Sequence, residues 1–344
     1  GRARAVDDRE GDRVWAGAGL GVGGGGPGVG EDGLRFVPDA SRLPPSAMRL
    51  PVTAPAAEWR AFDVVGIGLN AVDTVVVVPQ FPEFNAKVEI ASHRLSFGGQ
   101  VATAMVGLAR LGFRTRYVGR VGADHAGALQ IASIERERVD CSELRVAEGA
   151  ETQIAVILIE EGSGERTIMW RRDPKLTIDP AQLSHEIVCS GRALHLDGHN
   201  IAAEVRAATW AREAGIPVTI DVDKDYDGAS LYPLVDYLIT SEEFPARVTG
   251  IAEPRAALAA LRDRFGCPFV AATLGRRGAI ALCEGRYVES PGFRVESRDT
   301  TGAGDAFRAG FLYGLLEGLS VEETLRAANA VAALNCTEIG ARGG

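Results

Sequence analysis

Paired cysteines are missing from this chain. Its five cysteines, Cys141, Cys189, Cys267, Cys283 and Cys336, contain no Cys-x-x-Cys pair. That scatter argues against a zinc site and a disulfide framework, and it suits a reducing, cytoplasmic setting. An excess of positive charge is missing too. The formal net charge is −9, so no nucleic-acid partner bound through its phosphates is expected. No apolar run reaches about 18 residues, which leaves no candidate membrane span. Gly-Lys-Ser and Gly-Lys-Thr do not occur, which removes the Walker-type phosphate loop.

What is present has the composition of a folded chain. Of 344 residues, 46% are apolar and 24% charged, enough for one large α/β domain or two small ones. Residues 1–59 stand apart. They hold 12 of the 42 glycines and 6 of the 16 prolines, with no amphipathic period and no signal-peptide h-region. They are expected to be a disordered or non-native leader. Met48, one of three methionines, is read as the working start, with residues 1–47 upstream of it. At the other end, a truncated C-terminus after Gly344 stays open.

From Phe62 the pattern becomes regular. Strands are expected at 62–68, 74–79, 87–90 and 94–97, where β-branched or alternating residues run between turn signals. A helix follows from Gln100, closed by Gly112 as its cap. Residues 152–159 and 166–172 alternate around a Glu-Glu-Gly-Ser-Gly-Glu turn and read as a hairpin. Residues 190–300 alternate strand and helix, which implies a mostly parallel sheet with helices on both faces. Ligands are then expected at the strands' carboxyl ends, where Asp197, Asp221, Asp223, Glu242, Glu243, Thr273 and Gly275 fall. Gly66-Ile67-Gly68-Leu69-Asn70-Ala71 fits the loose dinucleotide pattern G-x-G-x-x-A. That pattern needs a helix next, and a β-branched run follows instead. A dinucleotide-dependent oxidoreductase therefore stands only as an alternative.

The richest stretch is Asp299-Thr300-Thr301-Gly302-Ala303-Gly304-Asp305-Ala306-Phe307. Phe307, Phe311, Leu312, Leu315 and Leu316 recur at helical spacing, so Asp305 stands where a helix begins. The first turn of a helix offers free N–H groups and a positive dipole end to an anion. Glycines let a phosphate approach the backbone closely. A carboxylate facing such an anion is repelled by it. It caps the helix, or it takes a proton from a hydroxyl attacking phosphorus.

This string resembles the C-terminal signature of the ribokinase-like (PfkB) family of carbohydrate and nucleoside kinases. The resemblance runs from about residue 62 to the end. It implies a three-layer α/β/α domain over 60–344, with a small β-sheet lid from about 74–97 and 151–172. It implies ATP-dependent phosphorylation of a sugar or sugar-like alcohol, with Asp305 as general base and the backbone of Gly302, Ala303 and Gly304 as an anion hole. A nucleoside kinase and a non-catalytic sugar- or nucleotide-binding module remain alternatives.

Further residues follow from the same resemblance. Gly98 and Gly99 are similar to the glycine pair of the family's first signature, although Gln100 stands where Asn is usual. Asp73, with Asn70, is placed to hold substrate hydroxyls, unless it is only a turn aspartate. Thr273-Leu274-Gly275-Arg276-Arg277-Gly278 is similar to the family's T-x-G-x-x-G turn and puts Thr273, Gly275 and Gly278 on ATP, joined by Thr301. The register around Ser241, Glu242 and Glu243 departs from the family's Asn-x-x-Glu, which leaves Glu243 as a water-mediated magnesium contact. ATP and Mg2+ are the implied cofactors, with K+ near Asp299 in some members, and a homodimer through the lid is implied in many. Asp124 reads as a helix cap, His195 as a core histidine. Arg171 and Arg172 read as strand-end charges or as contacts to an acidic substrate.

Overall fold

A computed structural model describes residues 47–224 and 228–344. The first half of the chain lays down β1 (Phe62–Ile67), β2 (Ala71–Val78), β3 (Ser92–Gly98), α1 (Gln100–Arg110), β4 (Thr115–Gly122), α2 (His125–Arg136), β5 (Asp140–Ala147), β6 (Ile154–Glu160) and β7 (Arg166–Arg171). The second half adds α3 (His185–Val188), β8 (Gly191–Leu196), α4 (Ile201–Glu213), β9 (Val218–Val222), β10 (Tyr237–Thr240), α5 (Glu243–Thr249) and α6 (Pro254–Phe265). It closes with β11 (Phe269–Thr273), β12 (Ala279–Cys283), β13 (Arg286–Ser290), α7 (Ala303–Leu316) and α8 (Val321–Asn335).

Nine strands form the main sheet in the order β13-β12-β11-β10-β9-β8-β1-β4-β5. From β11 to β5 every neighbour is parallel, and β12 and β13 add an antiparallel edge. A parallel sheet must be covered on both faces, because its βαβ crossovers put helices there. Successive side chains alternate accordingly. On β1, Val64 joins one core with Val101, Met105, Phe307 and Phe311, while Val65 and Ile67 join the other with Leu194, Ala207 and Leu258. The first core contains three rings in mutual contact, Tyr237, Phe269 and Phe311, with centroids 5.3–5.4 Å apart. Among the described residues no helix is long and apolar enough to cross a membrane.

The second sheet has the order β3-β2-β6-β7. It is the lid expected from the sequence, with two corrections. Lys87–Ile90 is not a strand. β2 ends at Val78, before Pro79, and Ser92 already pairs with Val77, so residues 87–90 lie past the strand they would pair with. β2 also starts at Ala71 rather than Thr74, directly after β1. No helix follows Gly66-Ile67-Gly68, which removes the dinucleotide reading.

Residues 48–54 do not match the expectation of disorder placed on 1–59. Met48 and Leu50 are buried in the first core, with Val52 and Ala54 packed on it. The Val321 N–H donates to the Met48 carbonyl at 2.8 Å, and the Val52 N–H donates to the Tyr237 hydroxyl at 3.0 Å. Apolar side chains at 48, 50 and 52 form an extended segment that the glycine- and proline-rich composition of 1–59 obscures. The expectation for residues 1–46 lies outside the described residues.

Candidate active site

A cleft of about 1240 Å³ lies between the carboxyl ends of the parallel strands and the inner face of the lid. Strand alternation selects which lid residues face it. Arg166, Ile168 and Trp170 of β7, and Arg172 just after it, line the cleft, as do Ala155 and Ile157 of β6. These are every second residue, as a pleated strand requires. Arg171 falls on the other parity and forms an exposed ion pair with Glu151. Of the two arginines, the cleft has only Arg172.

The turn into α7 forms the cleft's far wall. Gly302 caps the helix with φ +73, and a Cβ there would lie 2.4 Å from the Ala341 carbonyl oxygen. Only glycine fits that left-handed, crowded position. The Ala303 N–H donates to the Thr300 carbonyl at 3.2 Å. Its neighbours in the first turn have no intrahelical acceptor and can receive an anion. Thr301 lines the cleft with a buried hydroxyl that has no hydrogen-bond partner. Thr273, Gly275, Arg276 and Gly278 line the same end.

Asp305 sits in the first turn of α7 and lines the cleft. Burial lifts its carboxyl well above the usual range, the charges of Asp221, Asp223 and Asp73 lift it further, and Arg308 opposes them. Arg308 was not foreseen. It lies one turn beyond Asp305 and is buried, with its guanidinium 2.6 Å from Asp221 and donating to the Gly304 carbonyl at 3.1 Å. Burial raises Asp221 to about 6, with Arg308 acting against the rise. A lone charge inside the apolar stripe of α7 was the available signal.

Asp73 lies within β2, buried, opposite Ser96 of β3. Burial pushes it up to about 7, Arg342 draws it down and Asp299 pushes it up. Gly98 is tight against it, since a Cβ would lie 2.3 Å from its Oδ2. Gly99 begins α1 at φ +94, where a Cβ would lie 2.3 Å from the Asn70 Cα. Gln100 lines the cleft and its Oε1 lies 3.0 Å from His199 Nε2. Asp73, Gly99 and Gln100 thus line one cleft.

Four expected site residues do not line the cleft. Asn70 is buried behind it, donating to the Tyr117 hydroxyl and the Arg120 carbonyl, both at 2.9 Å. Its amide holds the β1–β2 turn. Gly98 is buried, its carbonyl accepting from Arg342 at 2.9 Å. Asp299 is buried beneath the turn, with one oxygen on the Thr301 N–H and the other on the Gly340 N–H, each at 2.8 Å. It clamps the turn to the C-terminal segment. Glu243, on the first turn of α5, is 83% exposed at its side chain and pairs with Arg247 at 3.3 Å. α5 turns it to the surface, and Ser241 lines the cleft in its place.

Other readings stand as made. Asp124 caps α2 by accepting from the Gly127 N–H at 2.8 Å. His195 is a core histidine, held neutral by burial at about 3 and 2.8 Å from the Thr219 hydroxyl. Asp197, expected at a strand end, has a buried partner in Glu204 that the sequence did not single out. Asp197 accepts from the Leu69 and His199 N–H groups, and Glu204 accepts from those of Gly198 and Asn200. This pair fixes the cleft floor from below.

The sequence matches the family described as pfkB family carbohydrate kinase over residues 61–344. It is 30% identical to an ATP-dependent ribose-1-phosphate kinase of Halopiger xanaduensis, over 78% of this chain and 90% of that one. It is 26% identical to a ribokinase of Haemophilus influenzae, over 82% and 94%. Among solved structures, Arabidopsis thaliana ribokinase complexed with ribose and ATP superposes with TM-score 0.70 at 26% identity, over 81% of this chain and 94% of that one. An adenosine kinase from Sinorhizobium meliloti shares the fold at TM-score 0.74 and 23% identity, over 82% and 95%.

Proposed function

The chain belongs to the pfkB family of carbohydrate kinases, and from that membership and the cleft we propose that it transfers the terminal phosphoryl group of ATP to a hydroxyl of a sugar or sugar-like substrate. The observation that carries this reading is one turn of α7, which presents an anion-binding helix start and the Asp305 carboxylate to the same cleft.

In this reading ATP lies along Thr273, Gly275, Gly278 and Thr301. The unpartnered, buried Thr301 hydroxyl fits a phosphate oxygen. The substrate lies under the lid, against Asp73, Gly99 and Gln100. Asp305 accepts the proton of the attacking hydroxyl. The backbone around Ala303 stabilises charge on the group in transit. The lid excludes water, which would otherwise take the phosphoryl group. Magnesium bound with ATP would supply charge neutralisation there. Among the described residues no three His, Cys, Asp or Glu side chains gather as a metal cluster, which suits an ion held chiefly by ATP. Asp299, whose two oxygens each accept one backbone N–H, keeps lone pairs that would hold a monovalent cation, and no step is assigned to potassium.

The test is ATP consumption with magnesium across neutral sugars, sugar acids, sugar phosphates and nucleosides, with Asp305→Asn in parallel. Turnover of one class that falls by about 10²- to 10⁴-fold in the variant is expected for a lost general base. Turnover that survives the substitution would overturn the assignment of Asp305.

A further inference from the structure

Arg172 is a cation lining the cleft, and among the described residues no carboxylate pairs with it. Strand parity turns it inward, and its Nη2 donates to the Asn200 Oδ1 at 3.0 Å and to the Leu176 carbonyl at 3.2 Å. Both acceptors are neutral. Among the described residues no carboxylate lies within ion-pair distance of it. The charge of Arg172 acts on buried Asp197, whose oxygens already accept from the Leu69 and His199 N–H groups. The hydrogen bonds recorded for Arg172 use Nη2 alone, which leaves Nε and Nη1 for a ligand.

His199 lines the cleft; burial first, then the charges of Arg172 and Lys224, keep it neutral, and Asp223 acts against them. Lys224 also lines the cleft, its ammonium 5.5 Å from the Trp170 ring centroid. A half-buried guanidinium inside a cleft, without a carboxylate partner among the described residues, favours an anion that completes it. That anion is not the ATP polyphosphate. Arg166, on the same strand, contacts Thr300 beside the α7 turn. Arg172 lies six residues further on, about 20 Å along an extended strand. It is at the substrate end, where His199 meets Gln100 at 3.0 Å.

We propose that the cleft holds a second anion subsite, built on Arg172 with Lys224 beside it, and that the substrate is a sugar derivative carrying a phosphate or carboxylate group away from the reacting hydroxyl. Arg172 fits such a group because Nε and Nη1 each offer a charge-assisted hydrogen bond, Nη2 being taken by Asn200 and Leu176. This rests on the kinase reading only for the word substrate. The subsite itself is a binding claim.

The test compares a hexose, the corresponding hexose phosphate and the corresponding hexonate, in the whole chain and in Arg172→Gln and Arg172→Lys. Calorimetric binding without ATP is measured beside ATP consumption. An anionic ligand should bind at least about 10- to 100-fold more tightly than the neutral one, the worth of a charge-assisted pair. The preference should collapse in Arg172→Gln and return in part in Arg172→Lys. Whether phosphate or carboxylate wins identifies the anion's source. If the preference appears in binding but nothing is turned over, the subsite stands and the kinase reading falls. If neutral sugars are bound and consumed as well as the anionic ones, the subsite falls and the kinase reading stands. Equal losses for neutral and anionic ligands in Arg172→Gln would also overturn the subsite, since they would mark Arg172 as merely structural.

Discussion

Arg308 decides whether Asp305 can act as a base at neutral pH. Asp305 faces Asp221 and Asp223 from the end of β9 and Asp73 from the lid, and Arg308 is the cation that opposes them. Removing that cation must raise the Asp305 pKa, so less of it is ionised at a given pH. Arg308→Gln is therefore expected to move the acid limb of the kcat/KM profile to higher pH. Asp221→Asn removes a neighbouring negative charge and should move the limb the other way. Buried neutral His195 beneath the pair does not titrate in this range. A damaged fold would depress both profiles without shifting their limbs in opposite directions. Breaking the buried pair also costs about 3–5 kcal/mol, so limb positions rather than rates carry the result. At this scale the sequence names groups but not their partners. Asp305 was legible because its glycine turn is local. Arg308 was not, because its meaning comes from Asp221 on another element.

The α7 start shows what one element contributes. Gly302 is held at φ +73 against the Ala341 carbonyl. Gly302→Ala must shift either the turn or the C-terminal segment. The expected cost is about 1–3 kcal/mol of stability, read as a lower urea midpoint. A fall in kcat larger than any rise in the KM for ATP should accompany it, because the anion hole moves while Thr273 and Gly275 do not. An unchanged kcat would show that the turn tolerates displacement. Elements with local rules were readable in advance, among them the capping box at Ser320 and Glu323, which is present. The β12–β13 hairpin was missed although its Glu284-Gly285 turn has φ of 49 and 75, the geometry of a type I′ turn. Glutamate is an unusual first residue there, so the signal was weak. Lys87–Ile90 failed for another reason. Its alternation is sound, but pairing depends on where the partner strand ends.

Over the whole molecule the fold gathers carboxyls at one end, because parallel strands point the same way and Asp197, Asp221 and Asp223 end adjacent ones. That convergence was legible, and the burial that raises the carboxyls of Asp197 and Asp221 was not. It has a consequence for stability. Burial raises Asp73 to about 7 and Asp221 and Asp197 to about 6, and it raises Asp305 and Glu204 well above the ordinary range. A raised folded-state pKa gives stability that is complete below the unfolded value and lost as pH rises through the folded one. Two buried histidines act oppositely. His195 and His199 are lowered to about 3 and about 4, so their contribution grows as pH rises toward about 6.5 and is then complete. Five raised carboxyls outweigh two lowered histidines, so the ligand-free protein is expected to lose stability as pH rises from about 4 to 7. Urea midpoints at constant m across that range provide the measurement. Asp73→Asn should flatten the decline, since its shift of about 3 units corresponds to on the order of 4 kcal/mol when fully expressed. A midpoint that rises with pH, or a decline that Asp73→Asn leaves as steep, would mean that the cleft carboxyls are ionised in the folded protein without penalty.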